Sequence, residues 1–143
     1  MKRLEDAVRA GESPEDLTLL IRGGTDTKEK LVQHADRMSD RFTYQGLAAR
    51  GISLFAARGD LDERAVLATR LITYRRYYKV APAQLATVGR LLPTFAAPHW
   101  TLLFEPAQSV PPRPLADLVE EFLAILGPLL DNPKYVPPEA HRR

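Results

Sequence analysis

The 143-residue chain is 45% hydrophobic and sets 20 Lys and Arg against 18 Asp and Glu, a formal charge of +2. That size and composition suit one domain with its own core, and so small a cation excess means that any basic function must come from local clustering. The absence of cysteine excludes disulfides, thiolate zinc sites and a thiol nucleophile.

Residues 2 to 11 fit a short helix with Leu4, Ala7 and Val8 on one face, ended by Gly11, and Ser13-Pro14 reads as a helix cap with proline in the first turn. Leu17 to Ile21 predicts the first strand, and Arg22-Gly23-Gly24 closes it, so Arg22 falls at a strand end. Asp26 and Glu29 have capping-box spacing, and Leu31, Ala35, Met38 and Phe42 recur every three or four residues, predicting a helix from about Thr27 to Phe42. After a connection over 46–51, GISLFAA predicts a strand with Ile52, Leu54 and Ala56 on one face and Ser53 and Phe55 on the other. Asp60 and Glu63 repeat the capping spacing, and Leu67, Leu71, Tyr74 and Tyr78 carry a helical stripe to about Tyr78.

Val80 to Leu85, broken by Pro82, suits only an edge strand, and Leu91 to Phe95, broken by Pro93, offers another short one. The central stretch is PHWTLLFE, Pro98 to Glu105. There Trp100, Leu102 and Phe104 point one way and His99, Thr101 and Glu105 the other, with Leu103 interrupting the polar row. Pro106 to Pro114 reads as a stiff crossing segment, and Pro114 opens a last helix with Leu115, Leu118, Val119, Phe122 and Leu126 in its stripe. Residues 1–131 therefore predict a single compact α+β domain, a mixed or antiparallel sheet with two or three packed helices. From Asn132 onward the polar tail ending in His141-Arg142-Arg143 is expected to be mobile.

His99 and Thr101 place an imidazole and a hydroxyl two residues apart on one strand, where both can reach one substrate oxygen. Two-histidine phosphoesterases carry a pair of such His-x-Thr strands, whereas this chain has one, with His34 in a helix and His141 in the tail. Arg22, Ser53 and Glu105, in that order on three strands, resemble the arginine-serine-glutamate arrangement of the ADP-ribosyltransferase superfamily. The resemblance implies that Arg22 holds the phosphates of NAD, Ser53 braces the nicotinamide side of the pocket and Glu105 stabilises an oxocarbenium-like transition state. Ser53 is not in a Ser-Thr-Ser run, and Leu103 stands where a second acidic residue is usual. Arg70 to Lys79 interleaves Arg70, Arg75, Arg76 and Lys79 with Tyr74, Tyr77 and Tyr78, a composition that suits single-stranded nucleic acid and equally a solvated helix end. There is no P-loop, dinucleotide fingerprint, HExxH or EF-hand loop, and His34, Asp36 and Asp40 read as a polar helix face, so no metal is predicted.

GISLFAA, TYRRYYKV, LLPTF and PHWTLLF together resemble a group of small proteins of uncertain function from high-GC bacteria, some near mobile elements. That resemblance implies a toxin-like enzyme of a toxin–antitoxin or defence locus, acting on NAD or on RNA, with an antitoxin or other protein as partner. In the RNA version Arg75, Arg76 and Tyr77 hold the strand and His99 moves protons. The rival expectation is a non-enzymatic adaptor that binds a protein or nucleic acid. No apolar run is long enough to span a bilayer and MKRLEDAVRAGES lacks an export signal's apolar core, so the expected location is cytoplasmic, with no membrane partner.

Overall fold

The alternation of apolar residues in the two strongest predicted strands decides the architecture, because each strand presents a complete apolar row to one side. The computed structural model describes residues 1–24, 26–106 and 111–138, so part of the Pro106 to Pro114 crossing and the His141-Arg142-Arg143 end lie outside the described residues. The chain runs β1 (Lys2–Arg3), β2 (Leu19–Gly23), α1 (Lys28–Ser39), β3 (Phe42–Tyr44), β4 (Leu47–Ala48), β5 (Arg50–Ala57), α2 (Asp60–Thr69), β6 (Arg76–Val80), β7 (Arg90–Leu92), β8 (His99–Phe104), α3 (Leu115–Ile125) and β9 (Leu130–Asp131), with 3-10 turns at Leu4–Ala7, Pro14–Asp16 and Pro82–Leu85. Six strands form one sheet in the order β7-β8-β5-β2-β6-β9, every neighbouring pair antiparallel. A small second sheet joins β1, β3 and β4, with β1 parallel to β3. The expected α+β domain with mixed and antiparallel pairing is thus the fold observed.

β5 and β8 pair from Arg50↔Phe104 to Phe55↔His99, which sets Ser53 opposite Thr101. Ile52 and Leu54 join Trp100, Leu102, Phe104, Leu20 and Val80 in the main core, covered by Leu31 and Ala35 of α1 and by Leu118, Val119 and Phe122 of α3. Each large side chain buried there contributes about 2–3 kcal/mol. On the opposite face Ile21, Ala57 and Tyr77 pack on Val66, Leu67 and Leu71. Farther along, Leu103 and Leu92 pack with Ala49 and with Leu4 of the first 3-10 turn, beside Phe42 and Tyr44 of the small sheet. The polar row expected on β8 is therefore covered as well: Thr101 and Leu103 are buried and His99 is half-buried.

Several boundaries differ from expectation, each for a physical reason. The predicted N-terminal helix is instead a two-residue strand and a 3-10 turn, because Lys2 and Arg3 pair with Phe42 and Thr43 and so short a helix is marginal alone. The first strand starts two residues later than Leu17 and runs on to Gly23, which brings Arg22 inside it. Helix α1 ends at Ser39, and its cap is Thr27, whose Oγ1 accepts from the Lys30 amide, rather than Asp26. The connection over 46–51 holds a hairpin, with Gln45 and Gly46 both at positive φ between Tyr44 and Leu47, as a two-residue loop requires. The second helix stops at Thr69 instead of Tyr78: RYYKV is β6, where aromatic residues gain more from a pleated surface between β2 and β9 than from a helix. Tyr77, expected to hold an RNA strand, is buried and donates its hydroxyl to Glu63. Val80 to Leu85 is largely a 3-10 turn, and Thr94 makes only a single bridge to Val8.

The tail expected to be mobile is docked at its start. Asn132 is buried, and its Nδ2 donates to the carbonyls of Leu71 (2.9 Å), Tyr74 (3.0 Å) and Leu67 (3.4 Å), at the end of α2 and in the turn that follows it. The Val136 amide donates to the Ile72 carbonyl and Arg75 lies over the Tyr135 ring. Asn132→Ala is expected to cost about 1–3 kcal/mol, since it strands buried carbonyls, and to lower Tm by roughly 3–10 °C. A thermal melt unchanged within a degree would show that this amide does not anchor the α2–β6 turn.

Candidate active site

β2 ends early, and the site forms in the space it leaves. Its ladder with β5 covers only Leu19↔Ala57 to Ile21↔Phe55, and the chain leaves the sheet at Gly24, whose φ of +91° a residue with a side chain rarely adopts. Gly23 must also lack a side chain, because a Cβ there would lie 2.8 Å from Leu71 and 2.9 Å from the Tyr74 ring. The result is a cleft of about 810 Å³ between α1 and the α2–β6 turn, with Ser53 and Phe55 of β5 in its wall. Arg22, Lys30, Arg37 and Arg70 line it against a single carboxylate, Asp26. In a chain with a formal charge of only +2, that is a marked local concentration of positive charge.

Arg22 is only 7% exposed, so its charge has to be met inside the protein. Its Nε donates to Asp26 Oδ2 (2.8 Å), Nη1 to the Ser53 carbonyl (2.8 Å) and Nη2 to His34 Nδ1 (3.1 Å). A guanidinium can only donate, so His34 accepts at Nδ1, and the proton of its neutral ring is assigned to Nε2. Loss of solvent, and then the Arg22 charge, holds the His34 pKa below its ordinary value of 6.5.

Ser53 carries its side chain on the other sheet face, towards His99. His99 Nε2 lies 2.9 Å from Ser53 Oγ, while Nδ1 lies 3.2 Å from the Thr94 carbonyl and 3.0 Å from Thr94 Oγ1. The carbonyl cannot donate, which assigns the ring proton to Nδ1 and leaves the Nε2 lone pair to accept the Ser53 hydroxyl. Thr94 Oγ1 is in turn 2.7 Å from Thr101 Oγ1, and both threonines are fully buried. Arg9 fixes the loop from outside, Nη1 donating to the carbonyls of Thr94 (2.7 Å) and His99 (2.8 Å). Phe55 and Phe95 meet the imidazole edge-on at 5.5 and 5.3 Å. Burial lowers the His99 pKa from 6.5, the Thr94 carbonyl opposes that, and the charges of Arg70 and Arg9 add to it. A hydroxyl bonded to a neutral imidazole, itself oriented by a third group, is the arrangement that activates a serine.

Of the residues expected at a site, the structure brings together Arg22, Ser53 and His99, and Thr101 stands behind His99 as a buried support. Glu105 is not with them. It lies four residues beyond Thr101, about 13 Å along the strand, and accepts from Arg90 Nε at 2.9 Å. The Arg75-Arg76-Tyr77 cluster does not line the cleft: Arg75 lies over Tyr135, Arg76 is 3.4 Å from Asp131 and Tyr77 is buried. His34, read from the sequence only as part of a polar helix face, lines the cleft with Lys30 and Arg37, which the sequence reading does not single out. Their signal was the polar row Lys30, Gln33, His34 and Arg37, at the helical spacing already used for the apolar stripe. Among the described residues no group of three His, Cys, Asp or Glu could hold a metal, and no helix is long and apolar enough to cross a membrane.

Both site histidines have folded pKa values below those of the unfolded chain, so the unfolded state takes up their protons first. Their contribution to stability is complete above about pH 6.5 and is lost as pH falls through that value toward the folded pKa. His99→Gln is expected to flatten the fall in chemical-denaturation stability between pH 7 and 5.5, and an unchanged slope would remove the buried neutral imidazole from the account.

No family model matches the chain, and no curated protein or solved structure matches it either.

Proposed function

We propose that the protein is an enzyme that breaks a phosphodiester bond, with Ser53 as nucleophile and His99 as its general base and acid. The observation that carries this reading is the 2.9 Å contact between Ser53 Oγ and His99 Nε2, made by a serine that also lines a cleft holding four cations and one carboxylate. Ser53 Oγ attacks phosphorus as its proton passes to His99 Nε2. The bond from phosphorus to the leaving oxygen breaks, and that oxygen takes the proton from Nε2. Water then attacks the phosphoseryl ester, giving one proton to Nε2, and phosphorus leaves Ser53 Oγ as that oxygen is reprotonated. Throughout, the proton on Nδ1 stays on that nitrogen, donated to the Thr94 carbonyl, and the cleft cations meet the charge that develops on the phosphoryl oxygens.

RNA is the better supported of the two substrates suggested by the sequence. Stabilising an oxocarbenium ion from NAD asks for a carboxylate beside Arg22 and Ser53, and the one that lines the cleft, Asp26, is committed to the Arg22 guanidinium. The toxin-like role follows from the same chemistry: unregulated RNA cleavage would arrest growth, and an antitoxin would be a protein that covers the cleft.

Purified protein is expected to cleave an RNA oligonucleotide, with Ser53→Ala and His99→Ala each lowering the rate about a thousandfold or more and the double variant little further. Expression of the wild type in a bacterial host is expected to arrest growth, and Ser53→Ala to relieve it. Intact RNA with folded wild-type protein, or wild-type rates from Ser53→Ala, would contradict the proposal and turn attention to the adaptor reading.

A further inference from the structure

We propose that the cleft holds a single-stranded stretch of nucleic acid, one base stacked on Tyr74 and the backbone running along α1; this rests on the phosphodiester reading and names what presents the bond. Three observations carry it independently of the Ser53–His99 pair.

The first is the row of donors on α1. Lys30, Gln33, His34 and Arg37 all line the cleft at intervals of three, one and three residues, so they share one face of the helix. From Lys30 to Arg37 is seven residues, about 10.5 Å along the axis, longer than a single phosphate group and suited to consecutive phosphates of a strand. Among the described residues neither Lys30 nor Arg37 has an acidic partner within 4.0 Å, so both charges are available to a ligand. Between them His34, whose Nδ1 accepts from Arg22, keeps its Nε2 proton to donate to a phosphate oxygen.

The second is Tyr74, 43% exposed at the cleft and not part of any core cluster. It is nevertheless fixed. Its amide donates to the Leu71 carbonyl at 2.9 Å, its carbonyl accepts from Asn132 at 3.0 Å, and its ring lies against Gly23 and Gly24. An exposed aromatic ring held by its own backbone is a platform on which a base can stack without being read.

The third is the opposite wall, where Arg70 lies over the Phe55 ring at 5.9 Å and donates to the Ala97 carbonyl at 3.1 Å. The strand would therefore have cations on both sides, with Ser53 in the lining of the same cleft. A duplex cannot use this arrangement, because its bases offer no free face to Tyr74.

The test measures binding with turnover removed. Full-length Ser53→Ala protein is titrated into a fluorescein-labelled single-stranded RNA octamer and followed by anisotropy. With three phosphate contacts, from Lys30, Arg37 and Arg70, the slope of log affinity against log salt is expected near −2, and Lys30→Ala with Arg37→Ala reduces it by about 1.4. Tyr74→Ala weakens binding about tenfold or more, and Tyr74→Leu, which keeps an apolar side chain on Gly23, does the same, while Tyr74→Phe stays within twofold of the parent. A duplex of the same sequence binds more weakly than the single strand. Binding that is absent, indifferent to Tyr74→Leu, equal for duplex, or displaced by NAD at concentrations below those of the oligonucleotide would overturn the inference. Since no bond is broken in this assay, its failure leaves the Ser53–His99 chemistry to be judged on the cleavage rates, and loss of cleavage leaves the binding result standing.

Discussion

A guanidinium taken out of water must be met by acceptors, and in this fold the burial of Arg22 is the constraint from which the site follows. The acceptors come from three directions: the Asp26 carboxylate just before α1, the Ser53 carbonyl on β5 and the His34 ring on α1. Removing any one leaves part of a buried charge unsatisfied, a loss that ordinarily runs to several kcal/mol for such a pair. Arg22 is therefore less a ligand-binding group than the piece that fixes the cleft: it closes the gap where β2 ends, consumes the one carboxylate lining it and sets the protonation of His34.

Ser53 links this cluster to a second one on the other sheet face. Its carbonyl accepts from Arg22, while its hydroxyl meets His99, so one residue joins two polar networks that the sheet otherwise separates. Behind His99 the chain of hydrogen bonds continues through Thr94 to Thr101 and ends in buried threonines, with Arg9 holding the loop from outside. A neutral imidazole held on one side by a carbonyl and on the other by a serine hydroxyl is placed to accept a proton, as the proposed chemistry requires.

Much of the framework could be read from periodicity. GISLFAA and PHWTLLF show the two-residue alternation of strands with an apolar row on one side, and the stripes at Leu31 and Ala35 and at Leu118 and Phe122 mark the helices that cover it. β6 was hidden because Leu71, Tyr74 and Tyr78 fall at helical spacing while Tyr78 and Val80 alternate as a strand; pairing with β2 decides between them. The role of Asn132 was invisible, since it depends on three carbonyls 58 to 65 residues away. Arg22, Ser53 and His99 could be named individually, but their meeting depends on the order β8-β5-β2, which local pattern does not encode. The same register carries Glu105 away, beyond the Arg50↔Phe104 pair.

The claim at the centre of this account is the direction of one hydrogen bond, from Ser53 to His99. Nitrogen NMR of histidine-labelled protein at neutral pH reports which ring nitrogen is protonated. The account requires a His99 ring with its proton on Nδ1 and an unprotonated Nε2, the form in which the imidazole can take the serine proton. A His99 ring protonated on Nε2 would make Ser53 the acceptor, leave it without a base, and contradict the account at its root.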